Sequence, residues 1–546
     1  MTNFVFSGNS SAPQTLNANE TGMILPSGAL GASNAAAVTM TGQASLTVLG
    51  TLYSDGGAFG IPTVAVSGNA NRVLLGERGY LGNTKGPAIS VAAGSFSLSN
   101  SGQIEASAEG VLASGTSVEI ANSGSIRASG FSAINVSSDS FHLVNSGEIV
   151  TLGGGTSVQL VSCYFDILNT GTLGGITALL TPGGTVTNLG TILGSVFLGG
   201  GANRFDGAQG VVTGVLDGQQ GDDWLATGAG RDHIIGGVGN DTISSGADAD
   251  TVSGGAGNDV IAGGTGNDRL VGDEGNDSFM GDAGSDTIIG GTGRDMVDYR
   301  GSSAGVEVDL TEAEAFGGDA EGDSLTGVEG LRGSAYGDVL VGDGLANLLR
   351  GAAGADRIDG GAGNDTLRGD TGADTLEGGT GFDTVTYAGA TRGVVVNLFT
   401  GAVQGGQAQG DVLSGFEAVV GSEARDQLTG DWRANLLNGG GEGDVLTGGL
   451  GNDTLIGGRG AAGDSFIFNP NDGTDQISDF ERGRDVIDIS AYGFASFAEI
   501  MALTTISEDG KDTVIDFTDN GIDARIVFKS CIFLNETEFQ DAVLWQ

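Results

Sequence analysis

"GGVGNDTISSGADADTVSGGAGNDVIAGG", residues 236–264, decides the fold. Glycines come in pairs and an aspartate returns every nine residues. A globular core does not need this pattern, and glycine has a large entropy cost on folding. Extended outward, the register holds without insertion from Gly218 to Asp298, giving nine nonapeptides in tandem. Their sixth positions are Asp223, Asp232, Asp241, Asp250, Asp259, Asp268, Asp277, Asp286 and Asp295. Their eighth positions are apolar throughout: Leu225, Ile234, Ile243, Val252, Ile261, Leu270, Phe279, Ile288 and Val297. A turn rich in glycine adopts backbone angles closed to other residues and turns its carbonyls inward. Calcium takes six to eight oxygens from carboxylates and carbonyls. One such turn supplies about half of them, and the next turn on the same side, eighteen residues on, can supply the rest. The three residues around the apolar position are expected to form a short strand.

The repeat matches G-G-x-G-x-D-x-U-x, and the chain resembles the RTX (hemolysin-type calcium-binding) family of secreted bacterial proteins. That resemblance implies a parallel β-roll, two nonapeptides per coil, with several calcium ions between stacked turns. Two further blocks continue the pattern. One, at 333–386, places Asp338, Asp356, Asp365, Asp374 and Asp383 in the sixth position, with Asn347 once in their place. The other, at 421–467, places Asp426, Asp444, Asp453 and, after a two-residue insertion, Asp464, with Asn435 once. These eighteen aspartates are the candidate metal ligands; the uncharged Asn347 and Asn435 are expected to make weaker sites. Asp248 in a fourth position and Thr227 and Ser245 in first positions depart from the consensus and are expected to weaken single sites. Counting complete sites between turns two units apart gives about fourteen ions.

The segments joining the blocks are themselves duplicated. "YRGSSAGVEVDL" from Tyr299 aligns with "YAGATRGVVVNL" from Tyr387, and "GDSLTGVEGLRGS" from Gly322 with "GDVLSGFEAVVGS" from Gly410, all at an offset of 88 residues. The alternating Val306, Val308, Leu310 and Val394, Val396, Leu398 read as strands that extend or cap each roll.

Residues 1–215 read differently. Asn100, Asn122, Asn145, Asn169 and Asn188 recur at steps of 22, 23, 24 and 19, each within a short apolar strand. This predicts a right-handed β-solenoid with a ladder of stacked asparagines; before Asn100 the period is fainter. The fold class is therefore all-β: a right-handed parallel β-solenoid followed by calcium-binding parallel β-rolls. The division is 1–215 solenoid, 216–467 RTX region, and 468–546 C-terminal cap and secretion signal. Within the last, "SFAEIMAL" from Ser496 reads as a short helix.

Charge follows the same division. The net charge is −46, of which −5 belongs to residues 1–215 and −41 to the rest. This argues against nucleic acid, which needs a basic face, and no apolar run is long enough for membrane insertion by a helix. The N-terminal "MTNFVFSGNSSAPQTL" lacks a basic leader and apolar core, so a standard secretory signal is not expected. The resemblance implies type I secretion through an uncleaved C-terminal signal, here "NETEFQDAVLWQ". It places the protein outside a Gram-negative cell or on its surface. Cys163 and Cys531 are expected to be buried thiols rather than a disulfide.

The expected function is a secreted calcium-binding structural or adhesive protein of the cell surface, matrix or surface layer. Its partners are calcium and, beyond that, further copies of itself in an oligomer, filament or lattice, or a surface polysaccharide. The alternative is a secreted β-helix carbohydrate-active enzyme, a polysaccharide lyase or epimerase, with RTX modules. The expectation of no catalytic residues rests on the acids of 1–215 scattering over several faces, with no pocket holding three of them. "GSSAG" at Gly301–Gly305 matches the lipase elbow, but its counterpart "GATRG" lacks the serine, and the elbow needs a strand before and a helix after it.

Overall fold

The computed structural model describes residues 3–545 apart from 56–60, 93, 154, 180, 313, 509, 519–521, 534 and 535. The chain forms two compact units, residues 1–281 with 286–295, and residues 282–285 with 296–546.

The first unit is a parallel β-solenoid that begins at Asn3–Phe6, well before the asparagine repeat. Its coils can be measured along one column of paired residues: Thr21, Ser45, Arg72, Ser97, Glu119, His142, Asp166, Thr185, Arg204, Trp224, Thr242. The coil length wanders from 24 to 27 residues, settles near 23, drops to 19 and 20, and reaches 18 in the nonapeptide region. The wandering length is why the first hundred residues look aperiodic, and pairing runs through residues 215 and 216 without a break.

One inner column of side chains spans this change of period. Leu98, Ile120, Leu143, Ile167, Val186, Phe205, Leu225, Ile243, Ile261 and Phe279 stack in register, each at most 1% exposed. Neighbouring strands lie about 4.8 Å apart, so each apolar side chain contacts the next and excludes water. Beside it runs the asparagine ladder. The Asn100 amide donates to Asn122 Oδ1 at 2.6 Å, and Asn122 to Asn145, Asn145 to Asn169 and Asn169 to Asn188 each at 2.8 Å. Asn188 closes the ladder on the Val211 carbonyl.

In the nonapeptide region the strands run for six residues rather than three: His233–Val238, Thr242–Ala247, Thr251–Ala256, Val260–Thr265 and Arg269–Glu274. The backbone stays extended through the following G-G-x, so the turn is confined to the remaining three positions. Coils are two nonapeptides long, with Thr242 opposite Val260 and His233 opposite Thr251.

The second unit continues the same construction. The duplicated connectors add strands, as their alternating valines foretold: Glu307–Asp309 pairs with Val339–Val341, and Val395–Asn397 with Gln427–Thr429. The second connector also inserts a hairpin, in which Ala402–Gln404 runs antiparallel to both Val395–Asn397 and Val412–Ser414. The end of the unit is closed by an antiparallel ribbon, Thr504–Ile506, Thr513–Asp516 and Ala524–Phe528, the last of which pairs with Gly473–Ile477. Phe480, Phe528, Phe533, Phe539 and Phe497 pack together over this end. The short helix at Phe497–Ala502 is present, and a second one spans Glu536–Asp541. Asn535 and Gln546 of the terminal signal lie outside the described residues. Cys163 and Cys531 are buried free thiols.

Candidate metal centre

In the first block each nonapeptide turn places its aspartate in a similar setting. The main-chain N–H of Asp223 donates to Asp241 Oδ1, Asp241 to Asp259, Asp259 to Asp277 and Asp277 to Asp295, every bond 2.8 Å. On the opposite side Asp232, Asp250, Asp268 and Asp286 are linked in the same way, again at 2.8 Å. One carboxylate oxygen thus secures the stack.

The other oxygen is left over. In Asp223, Asp241, Asp259, Asp268, Asp277, Asp356, Asp365, Asp374, Asp383 and Asp444, Oδ2 is buried with no hydrogen-bond partner. A buried carboxylate oxygen without a partner is costly. Its surroundings are oxygen-rich. A methyl group on Gly236 would overlap Asp241 Oδ2 and the Gly254 carbonyl of the next turn. One on Gly218 would meet Asp223 Oδ2 and the Gly236 carbonyl, and one on Gly272 would meet Asp277 Oδ2 and the Gly290 carbonyl. The first glycine of the motif therefore keeps a cradle open between a carboxylate and a carbonyl. The second and fourth glycines have another role: Gly237 and Gly239 lie at φ 118° and 138°, which L side chains rarely adopt. Asp248 in the fourth position is held at φ 75° and Asp273 in the second position also at 75°. Aspartate is among the few residues that tolerate this.

Among the described residues no three His, Cys, Asp or Glu side chains converge as a ready metal cage. The donors are instead one carboxylate per turn plus main-chain carbonyls, which is the chemistry of a hard cation. Electrostatics agrees. Burial pushes the carboxyls of Asp241, Asp250, Asp259, Asp277, Asp365 and Asp464 up to about 6, those of Asp223, Asp356 and Asp453 to about 7, and that of Asp444 to about 8. Asp232, Asp268, Asp338, Asp374, Asp383 and Asp426 are raised by the same cause. A cation in the cradle would reverse this and hold the carboxylates ionised.

Not all candidates are equivalent. In Asp338 the second oxygen accepts from Ser334 N–H at 2.7 Å, and in Asp426 from Ser422 N–H at 2.6 Å. These two, 88 residues apart, open their blocks and are satisfied by the chain itself. Asn347 and Asn435 likewise accept from Asp343 and Asp431. Several participants escaped the nine-residue count. The column Asp338, Asp356, Asp374 continues to Asp411 over a step of 37 residues, and Tyr387 donates to the other oxygen of Asp411 at 3.1 Å. Tyr299 holds Asp323 at 2.9 Å in the first copy. The columns also run past residue 467: Asp453 N–H meets Asp475, and Asp464 N–H meets Asp485. Burial raises Asp475 to about 8. A second ladder stands beside the first and runs the other way: Asn240 N–H donates to Asp222, Asn258 to Asn240, and Asn276 to Asn258. The recurring N-D pair was its signal.

The other candidates separate from this site. His142 stands 3.0 Å from Asp166, with both side chains well exposed. Arg127 pairs with Glu148 at 2.6 Å. A groove on the solenoid gathers Asp55 and Glu105, two of the ten N-terminal acids, beside Tyr53 and Tyr80. In "GSSAG" the strand Glu307–Asp309 follows where a lipase elbow needs a helix.

The family model for the RTX calcium-binding nonapeptide repeat (four copies) matches residues 217–252, 235–270, 245–279, 262–297, 332–367, 350–385 and 429–461. No curated protein matches the chain. Among solved structures, the extracellular lipase LipA from Serratia marcescens is similar at 20% identity over 55% of this chain, with a TM-score of 0.15. The chain covers 40% of that lipase. Repeat, register and buried carboxylates together make the chain a calcium-binding, RTX-type β-solenoid protein.

Proposed function

We propose that the chain is a secreted structural or adhesive protein of the bacterial cell surface, matrix or surface layer, folding on calcium after export. The observation that carries this is the column of buried Oδ2 atoms without partners, which in Asp223, Asp241 and Asp277 face a carbonyl across a glycine cradle. Such columns are unfavourable without a cation and become the organising centre of the fold with one. On this reading the calcium ligands are the sixth-position aspartates from Asp223 to Asp464. Residues 1–215 display a surface, 216–467 fold on calcium, and 468–546 cap the array and carry a type I secretion signal of a Gram-negative cell. RTX repeats are typical of secreted proteins. Among the described residues no helix is long and apolar enough to cross a membrane.

Extracellular calcium modules bind with dissociation constants of about 10⁻⁴–10⁻³ M, far above cytosolic calcium. Folding would then be coupled to export by preferential binding to the native state. The test of the surface role is electron microscopy of the purified chain with and without calcium, with fractionation of the producing cells. Ordered assemblies or surface-bound protein in calcium are expected; dispersed particles in both conditions and protein retained inside the cell would contradict it.

A second reading, a β-helix polysaccharide lyase or epimerase, has one observation in its favour, the pairing of Asp55 and Glu105 in the tyrosine groove. Such chemistry needs a base, an acid and a group that neutralises the substrate carboxylate. The described lining includes no Arg, Lys or His. Turnover of alginate or pectin would favour this reading.

A further inference from the structure

On the ten-stranded parallel sheet of the first unit, two neighbouring coils carry tyrosines on the outer side. Tyr53 and Tyr80 lie on adjacent strands, with Thr51 opposite Tyr80 and Tyr53 opposite Gly82. Both rings lie down over a glycine. A methyl group on Gly31 would overlap the Tyr53 ring, and one on Gly82 would overlap the Tyr80 ring. Bare glycines at these two places let aromatic rings settle against the backbone instead of standing away from it. Tyr53 keeps 47% of its surface exposed even so. Tyr80 Oη donates to Glu105 Oε2 at 3.2 Å, which fixes both side chains.

The rings form one wall of a groove of about 610 Å³. Asp55, Glu105, Thr84 and Ser107 line it as well, and Ser107 Oγ is buried without a hydrogen-bond partner. Only three tyrosines occur in residues 1–215, and two of them are in this groove. A core does not require them there, because the inner column of the same coils is complete without them.

Aromatic faces beside carboxylate and hydroxyl oxygens match a sugar ring, whose C–H faces stack on the rings while its hydroxyls donate to the carboxylates. The two groove carboxylates, in a chain of net charge −46, repel anionic polymers. We propose that this groove binds a neutral hexose-based glycan, with Tyr53 and Tyr80 as the stacking platform and Glu105 and Asp55 as hydroxyl acceptors. The proposal gives the adhesive reading above its partner class and rests on that reading.

The test is affinity electrophoresis of the full chain in millimolar calcium through gels containing neutral glycans (laminarin, dextran, galactomannan) or acidic ones (alginate, polygalacturonate). Retardation by at least one neutral glycan is expected. Tyr53→Ala and Glu105→Gln should each weaken it by about tenfold or more. Tyr164→Ala, which removes an exposed tyrosine outside the groove, should leave it unchanged. Circular dichroism of each variant shows that it is folded. No retardation by any neutral glycan, preference for the acidic polymers, or a folded Tyr53→Ala that binds like the parent would overturn the proposal. Glycan binding that persists while the chain forms no assemblies and stays off the cell surface would count against the surface reading and leave the groove assignment standing.

Discussion

The main-chain N–H of Asp241 donates to Oδ1 of Asp259 at 2.8 Å, eighteen residues further along the chain. This bond makes the fold and the metal site one object. It uses one carboxylate oxygen to stack successive turns and thereby aims the other, Oδ2, into the glycine cradle. Among the described residues nothing satisfies that second oxygen in Asp241 or Asp259. The carboxylate that stacks the turns is thus the one that presents an oxygen to a cation, and the stack is electrostatically complete only with one.

The first prediction concerns pH. In the metal-free folded chain burial raises the column aspartates, Asp241 to about 6, Asp223 to about 7 and Asp444 to about 8, against 3.8 for the free side chain. Between those limits the folded state binds more protons than the unfolded state, so stability falls as pH rises. In chelator, the β structure formed by residues 216–546 should therefore be greater at pH 5 than at pH 8. Surface repulsion acts in the same direction but is screened by salt; the trend should survive high salt because these carboxyls are buried. Greater stability at pH 8 in chelator would contradict the assignment.

Calcium stoichiometry is the second. The nonapeptide count leads to about fourteen ions, and the columns continue to Asp475 and Asp485. Metal analysis of the dialysed protein, or titration calorimetry, should give fourteen or somewhat more. One or two ions per chain would be incompatible with the stacked-turn site.

Glycine substitutions separate the two uses of glycine in the motif. Gly236→Ala places its methyl group against Asp241 Oδ2 and the Gly254 carbonyl, so it should remove about one ion. Asp248→Gly should act oppositely, since Asp248 is held at φ 75°; relief of that strain is worth about 1 kcal/mol. Calorimetry of both variants in calcium checks the signs.

How much of this was legible beforehand differs by region. The aspartate columns and the asparagine ladder were readable because one side chain repeats at each turn and its hydrogen bonds enforce the register. The coils from Asn3 to Asn100 carry no such side chain, and their lengths vary, so the sequence there has no fixed period although the backbone register is continuous. Asp411, Asp475 and Asp485 were missed for a related reason. An insertion in the loop displaces the residue in sequence, here to steps of 37, 22 and 21, without moving it out of its column. The six-residue strands were not foreseen because glycine pairs signal turns, whereas here their φ values let the chain continue extended past the turn.

The asparagine ladder gives a prediction independent of calcium. Asn145 accepts from Asn122 and donates to Asn169, both at 2.8 Å and fully buried. Asn145→Ala leaves buried polar groups unmatched, at a cost of about 1–3 kcal/mol. The loss should appear in the unfolding of the solenoid with or without calcium, and the calcium count should not change.

The most direct test of calcium-coupled folding is far-ultraviolet circular dichroism of the whole chain at neutral pH, first in excess chelator and then with calcium restored to millimolar concentration. The account predicts that most of the β signal contributed by residues 216–546 is lost in chelator and returns with calcium, while the solenoid signal of residues 1–215 persists throughout. An identical β spectrum in chelator and in calcium would contradict it.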